Sequence, residues 1–213
     1  MDIDYSIEVL DLSYKNLNVL PDLSKYINLK VLKCNNNQLT SLDNLPPGLQ
    51  ILNCRNNEIT NLDNLPPRLK KIDCSLNKIT SLDNLPPGLL ELGCSYNKIT
   101  SLNNLPLGLI ELRCSTNQLT SLDYLPLGLQ QLECCYNQIT SLDNLPPGLK
   151  LLYCIGNQIT LLDNLLPGLT ILYCWNNNLT SLDNLPPGLK QLYCGNDEWQ
   201  KQYFTKNNTS RLL

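Results

Sequence analysis

The chain has 213 residues, a formal net charge of −3 and no histidine. A weakly acidic chain is a poor match for nucleic acid, whose phosphates require clustered Lys and Arg, and the missing histidine removes the commonest general base and metal ligand. No stretch is long and apolar enough to span a membrane, so we expect neither a nucleic-acid partner nor a membrane partner.

The N-terminus reads MDIDYSIEVLDL. It is acidic and lacks a basic start followed by an apolar run, so the sequence gives no sign of a signal peptide. The ten cysteines are then expected to stay reduced, as thiols do in the cytosol. These two observations predict a cytoplasmic protein.

A twenty-residue repeat, such as LPPGLKLLYCIGNQITLLDN at 145–164, begins at Leu29 and continues to Gly188. Repeats of this length build solenoids, in which each unit buries its apolar side against its neighbours. We predict a solenoid over residues 1–196, with a first unit two residues longer than the others, and a cap and tail over 197–213. The predicted units begin at Ile7, Leu29, Leu49, Leu69, Leu89, Leu109, Leu129, Leu149, Leu169 and Leu189.

Each unit contains a short stretch, such as the one around Leu32 and Cys34, in which inward and outward positions alternate as they do in a strand. Stacked at about 4.8 Å, these stretches predict a parallel sheet roughly 45 Å long on a concave face. The prolines Pro46 and Pro47 exclude a regular helix on the return path. We therefore predict extended or 3-10 returns on the convex face.

Asparagine and cysteine each recur once per unit. Asn37 and its equivalents are expected to be buried and to bond backbone groups of the same and adjacent turns. Cys34 and its equivalents form a line rather than the tetrahedral cluster that zinc requires, and strand spacing does not suit disulfides. We interpret this column as core packing rather than as a metal or redox site. Cys135 falls outside the column, and we expect it to be an exposed thiol.

An aspartate also recurs in each unit from Asp43 to Asp183, except where Asn103 replaces it. Stacked carboxylates could bind Ca²⁺, whereas single Asp residues in turns commonly cap backbone N–H groups. The presence of Asn103 favours capping, because an amide can cap but binds cations less well.

The positions that vary between units change in character along the chain. The first half presents polar and charged residues: Lys33, Asn35, Arg55, Lys71, Asp73, Glu91, Glu111, Arg113 and Glu133. The second half presents a surface that we call the aromatic surface: Tyr136, Leu151, Tyr153, Ile155, Ile171, Tyr173, Trp175 and Tyr193.

The aromatic surface is our predicted protein-binding site, because exposed apolar patches mark interaction sites and Tyr and Trp are enriched at binding hot spots. Tyr153, Tyr173 and Tyr193 are expected to stand side by side. The alternative is that this column only stabilises the sheet through cross-strand pairing, or packs beneath the tail. In the tail, Asn196 or Asp197 could cap a short helix that carries Trp199, Tyr203 and Phe204 on one side.

The pattern L-x-x-L-x-L-x-x-N-x-L, with Cys in the third apolar position, resembles the leucine-rich repeat family over residues 7–196. The units resemble the short, Pro-rich repeats of YopM-type and IpaH-type effectors, from which they depart in having Cys rather than Val in the strand. They also resemble repeat proteins of giant amoeba viruses, in which case the location would be the host cytoplasm. The resemblance implies a right-handed solenoid that binds proteins through its concave face. It carries over no activity.

We therefore predict a non-enzymatic module that binds a protein partner through its concave face, without a cofactor. The sequence lacks a glycine-rich phosphate loop, and no acid/base pair stands outside the repeat. The alternative is a structural or assembly protein of a virus particle or infected cell, which self-associates through the same aromatic surface.

Overall fold

The computed structural model describes residues 5–195, so the predicted helix that carries Trp199, Tyr203 and Phe204 lies outside the described residues. Within that range, ten strands of three residues form one parallel sheet, in which the order of strands follows the order of the chain. This confirms the predicted solenoid. The strands are β1 (Val9–Asp11), β2 (Val31–Lys33), β3 (Ile51–Asn53), β4 (Lys71–Asp73), β5 (Glu91–Gly93), β6 (Glu111–Arg113), β7 (Gln131–Glu133), β8 (Leu151–Tyr153), β9 (Ile171–Tyr173) and β10 (Gln191–Tyr193).

Strand register follows the sequence repeat without slippage. Val31 pairs with Ile51, twenty residues later, and the same step continues to β10. Only the first step differs, because Val9 pairs with Val31, twenty-two residues later. Equivalent residues of successive units therefore form straight columns across the sheet.

The core is a stack of aliphatic and thiol side chains, with one set from each unit. In the unit that contains β2, the side chains of Leu29, Leu32, Cys34 and Leu39 are completely buried. The middle residue of β2 points inward, and its two neighbours face the concave side. Burying one Leu or Ile side chain stabilises a fold by about 1.5–3 kcal/mol, so each unit adds a similar increment.

The returns between strands are extended segments that contain tight turns. The Leu49 N–H donates to the Pro46 carbonyl at 3.1 Å and closes the turn before β3. Residues 5–195 contain no helical turn of any type, in agreement with what the paired prolines exclude.

The asparagine column bonds to backbone groups as expected. The Asn57 amide nitrogen donates to the carbonyls of Cys54 at 2.9 Å and Cys34 at 3.0 Å, and its oxygen accepts from the Leu39 N–H at 3.0 Å. One side chain thereby satisfies backbone groups of two neighbouring units. Because only 8% of Asn57 is exposed, these groups would otherwise be buried without partners.

The cysteine column belongs to the hydrophobic core, which confirms the packing interpretation. None of the ten cysteines, all of which lie within residues 5–195, forms a disulfide. Burial raises the pKa of Cys34 to about 12 and raises the pKa of the thiols between Cys54 and Cys174 in the same column. These groups are therefore neutral thiols at physiological pH and behave as small apolar side chains.

The aspartate column differs from the capping prediction. The carboxylates accept hydrogen bonds from asparagine side chains of the following unit, as Asp83 does from Asn104 at 2.9 Å. The Asp83 carboxylate also accepts from the Ser81 hydroxyl at 2.5 Å, and these bonds lower its pKa. Residues 5–195 contain six such pairs: Asp43 with Asn64, Asp63 with Asn84, Asp83 with Asn104, Asp123 with Asn144, Asp143 with Asn164, and Asp163 with Asn184. The aspartate column thus forms side-chain hydrogen bonds between successive units, rather than capping the backbone of each turn separately.

Candidate functional site

The outer positions of the strands build the concave surface. The first and third residues of each strand face outward, and the residue two places after the strand extends the surface toward the strand ends. In β8 these positions hold Leu151, Tyr153 and Ile155, all half-buried. The equivalent residues of the next unit are Ile171, Tyr173 and Trp175.

Three tyrosines stack along the second half of the sheet. The ring centroids of Tyr153 and Tyr173 are 4.5 Å apart with planes inclined by 25°, and those of Tyr173 and Tyr193 are 4.2 Å apart at 16°. This confirms that the three rings stand side by side. The faces of the rings are turned toward each other, so their edges and hydroxyl groups are what a ligand would meet.

The stacked rings shield each other from water. Burial raises the pKa of Tyr173 to about 12, and a hydrogen bond with Tyr193 adds to this effect. Burial also raises the pKa of Tyr153, with a further contribution from the Glu133 carboxylate beside it. The phenols of Tyr153 and Tyr173 are therefore neutral hydrogen-bonding groups over the whole physiological pH range.

The most exposed members of the aromatic surface are Tyr136 and Trp175. Of the Tyr136 side chain 48% is exposed, and of Trp175 41%. Leu151 pairs in register with Ile171 beside the tyrosine column, and both are half-buried. The structure thus brings the predicted residues together on one side of the sheet.

Two glycines that sequence reasoning missed make room for these aromatic groups. A Cβ atom on Gly156 would lie 2.6 Å from Cδ1 of Tyr136, and a Cβ on Gly195 would lie 2.8 Å from Cβ of Trp175. Gly156 has a φ angle of +67° and stands in the column that holds Asn36 in an earlier unit. In the same column, Tyr136 stands one unit before Gly156. The signal in the sequence was this glycine, which directly follows an aromatic residue in a column that holds asparagine in an earlier unit.

The expectation of an exposed thiol at Cys135 is wrong. Only 9% of this residue is exposed, and burial raises its pKa. It faces the concave side, but its neighbours in the column, Ser115 and Ile155, stand one strand spacing away on either side. Both hydrogen-bond to the thiol, and the Cys135 N–H donates to the Ser115 hydroxyl at 3.1 Å. Cys135 is therefore covered rather than reactive.

The first half of the concave surface is charged and internally paired. Lys71 and Glu91 form an ion pair at 2.5 Å. Arg113 pairs with both Glu111 and Glu133, the second at 3.3 Å. The side chains of Lys71, Glu91, Arg113 and Glu133 are 39–46% exposed and that of Glu111 is 16% exposed. Ion pairs that water reaches to this extent contribute little to stability.

A shallow depression of about 200 Å³ lies beside these ion pairs, and Gly93 is one of its lining residues. Gly93 takes the place of a side chain in β5, and the Asp73 carboxylate lies beside it, 3.1 Å from where a Cβ would stand. Both Lys71 and Arg113 line the depression. Within residues 5–195, no three His, Cys, Asp or Glu side chains are grouped so that they could hold a metal ion.

Residues 5–195 form no helix long and apolar enough to cross a bilayer.

Solved structures of several bacterial proteins are similar to this chain. YopM from Yersinia enterocolitica WA-314 is 38% identical, with a TM-score of 0.83, over 91% of this chain and 43% of YopM. The functional domain of InlJ from Listeria monocytogenes is 40% identical, with a TM-score of 0.71, over 82% of this chain and 41% of that chain. A Shigella effector LRR domain is 29% identical, with a TM-score of 0.63, over 82% of this chain and 71% of that domain.

The chain spans less than half of the YopM and InlJ chains that it matches. The InlJ domain includes a cysteine ladder, and this chain has a column of buried thiols. The sequence matches no protein-family model and no curated protein. The resemblance to repeat proteins of giant amoeba viruses stays a prediction.

Four observations point to the same protein family: the twenty-residue period, the asparagine column, the ten parallel strands and the likeness to YopM. The chain belongs to the leucine-rich repeat proteins and is similar to YopM in sequence and fold.

Proposed function

We propose that this protein binds a protein partner through its concave face, with the aromatic surface as the centre of the contact. It acts without an enzymatic step and without a cofactor, in the cytoplasm, and nucleic acid is not its partner. The observation that carries the proposal is the stacked column of Tyr153, Tyr173 and Tyr193 with Trp175 beside it. The likeness to YopM and to other leucine-rich repeat domains supports a binding role.

Preorganisation is the first argument for this surface. The tyrosine rings already touch at 4.2–4.5 Å in the free protein, so a partner would not have to order them. Rigid aromatic side chains therefore contribute contact area at a small entropic cost. A side-chain hydrogen bond between Tyr173 and Tyr193 also holds two of the rings in place.

Exposure is the second argument. Stacking along the sheet accounts for the tyrosine column by itself, but it does not account for Tyr136 and Trp175, which are 48% and 41% exposed. These two side chains add exposed apolar area beside the half-buried Leu151 and Ile171. The packing of the sheet does not require this additional area. Such patches mark interaction sites.

The test is an affinity capture from cell lysate with two matched variants. Tyr153→Ser/Tyr173→Ser/Trp175→Ser removes three members of the aromatic surface. Tyr14→Ser/Tyr96→Ser/Tyr124→Ser removes three tyrosines that are 50–75% exposed elsewhere. Circular dichroism and thermal melting establish that both variants are folded.

We expect one or more proteins to bind the native chain and the second variant but not the first. A captured protein should then bind the purified native chain with an affinity at least tenfold higher than it shows for the first variant. If both variants capture the same proteins as the native chain, the aromatic surface is packing and the proposal fails.

Self-association through the aromatic surface is the other candidate function, and it would fit a structural or assembly protein. The exposed Trp175 is the observation that favours it. It requires a dimer that Tyr173→Ser/Trp175→Ser abolishes, which sedimentation at several concentrations would detect.

A further inference from the structure

Two columns change character in the middle of the sheet, at the edge where the strands begin. The residue directly before each strand is polar or charged at both ends of the chain but is Leu90 before β5 and Ile110 before β6. Three residues earlier, a column of prolines is interrupted by Leu107 and Leu127. We call these four residues the rim patch.

The rim patch is open to solvent. Leu107 is 87% exposed and Leu127 76%, while Leu90 and Ile110 are each 38% exposed. The two columns lie next to each other, because the Lys70 ammonium reaches the Gly88 carbonyl of the next unit at 3.2 Å. Neither column needs aliphatic residues for folding, since other units place Pro, Lys, Gln or Thr there.

We propose that the rim patch is the contact between two copies of this chain. The copies would be antiparallel and related by a two-fold axis that passes between β5 and β6. This axis sets Leu90 against Ile110 of the other copy and places Leu107 and Leu127 alongside them. The axis falls at the middle of the ten strands, so the contact could extend over the whole edge.

Charge matching along the column before the strands supports this arrangement. Glu8 is the first member, since the Lys30 N–H donates to the Glu8 carbonyl as the Gln50 N–H donates to that of Lys30. No lysine of the column faces another lysine across the axis, and the outermost pair has opposite charges. The pairs between copies are Lys70 with Gln130, Gln50 with Lys150, Lys30 with Thr170, and Glu8 with Lys190.

An anionic membrane fits the rim less well than a second copy does. Each unit places an Asp or Asn four residues before the proline column, as Asp83 precedes Pro87 and Asp123 precedes Leu127. These carboxylates would be repelled by negatively charged lipids, whereas the antiparallel copy offers lysines and amides along the same edge.

The size of the edge sets the expected affinity. Ten strands at about 4.8 Å give an edge roughly 45 Å long, and the two columns lie about 10 Å apart at most, since extended chain covers ~3.3 Å per residue. The product is about 450 Å² per copy, below the ~800 Å² of a standard interface. The dimer should therefore be weak and concentration-dependent.

Analytical ultracentrifugation of the full chain between about 1 and 500 μM tests the proposal. The rim variant is Leu90→Lys/Ile110→Gln/Leu107→Pro/Leu127→Pro, which uses residue types that the chain itself carries in these columns, so the fold is preserved. We expect the native chain to dimerise and the rim variant to dissociate at least tenfold more readily.

Charge exchange tests the antiparallel arrangement. Glu8→Lys alone sets two lysines against each other and should weaken the dimer several-fold, whereas Glu8→Lys/Lys190→Glu should restore it. A parallel or unrelated contact would not show this rescue and would overturn the arrangement.

Three results would overturn the proposal as a whole. One is a native chain that stays monomeric over the full concentration range. Another is a dimer that survives in the rim variant but is lost in Tyr173→Ser/Trp175→Ser, which would place self-association on the aromatic surface. The third is a monomer that binds phosphatidylserine vesicles through the rim patch. Capture of a protein partner by the rim variant would be unchanged, so this test is independent of the proposed function.

Discussion

Asn103 and Tyr124 occupy the two partner positions of one cross-unit pair, and both depart from the repeat at that pair. Elsewhere in residues 5–195, an aspartate at the first position accepts from an asparagine twenty-one residues later, as in Asp83 with Asn104. Where the acceptor is Asn103, the donor is also missing, because Tyr124 replaces it. Both exceptions therefore fall on the same acceptor–donor pair, which indicates that the two residues of such a pair depend on each other.

Restoring this pair should stabilise the protein only when both residues are changed. We expect Asn103→Asp/Tyr124→Asn to be more stable than the sum of the single changes by about 0.5 kcal/mol, since a hydrogen bond to an exposed carboxylate contributes little more. Urea unfolding of the native chain, both single variants and the double variant measures this coupling. A coupling energy of zero would mean that the two departures are unrelated.

Removing one member of the asparagine column should be costly. Asn117→Ala deletes the donor to the Cys94 carbonyl at 3.1 Å and the Cys114 carbonyl at 3.0 Å, and the acceptor for the Ile99 N–H at 3.0 Å. Because these backbone groups are then buried without partners, we expect a loss of about 2–4 kcal/mol in the free energy of unfolding. The neighbouring Gln118→Ala, at an exposed position, should lose less than ~0.5 kcal/mol. Equal losses in the two variants would contradict this account.

Alkaline pH should unfold the protein steeply. The folded-state pKa of the buried thiols is raised, to about 12 for Cys34, whereas an unfolded thiol ionises near ~8.5. Their contribution to stability is therefore complete below the unfolded pKa and is lost as the pH rises toward the folded pKa. Each such thiol removes about 1.4 kcal/mol per pH unit in this window.

The dependence of unfolding free energy on pH between about 9 and 11 measures this effect. Eight thiols of the column, from Cys34 to Cys174, contribute to the slope. Cys94→Ala/Cys114→Ala should reduce it by about a quarter, whatever the variant loses in absolute stability. An unchanged slope would show that other groups drive the transition.

Gly156 should tolerate alanine only when Tyr136 is made smaller. Gly156→Ala meets both a positive φ of +67° and a contact of 2.6 Å with the Tyr136 ring. We expect a loss of about 2–3 kcal/mol in the native background and about 1 kcal/mol with Tyr136→Ser, where only the backbone cost remains. Gly128→Ala, with no atom within 4 Å of the added carbon, is the control and should be nearly neutral. Thermal unfolding of the four variants checks the ranking.

Features that depend on position within one unit could be predicted from the sequence. The burial of Leu32 and Cys34, the role of Asn57 and the adjacency of Tyr153 and Tyr173 all follow once the period is recognised, because the columns are straight. Features that depend on which side chains of neighbouring units contact each other could not be predicted from the sequence.

Cys135 is the clearest example of the second kind. The repeat predicts that Cys135 faces outward. Its burial depends on Ser115 and Ile155, which form hydrogen bonds with its thiol from the two neighbouring units. The aspartate column is similar, since Asp83 finds its partner in Asn104 rather than in the backbone of its own turn. In both cases, the deciding contact joins residues about twenty positions apart.

Because the columns are straight, the distance between two features of the concave surface is a whole number of strand spacings. Gly93, in the charged depression, and Tyr153, where the aromatic rings begin, are three strands apart. The number of units between them fixes this separation at about 14 Å. Loss or gain of one twenty-residue unit between them would change that distance by about 4.8 Å and leave both sites intact. Duplication of a whole unit would therefore change the spacing between these two parts of the concave surface without altering either one.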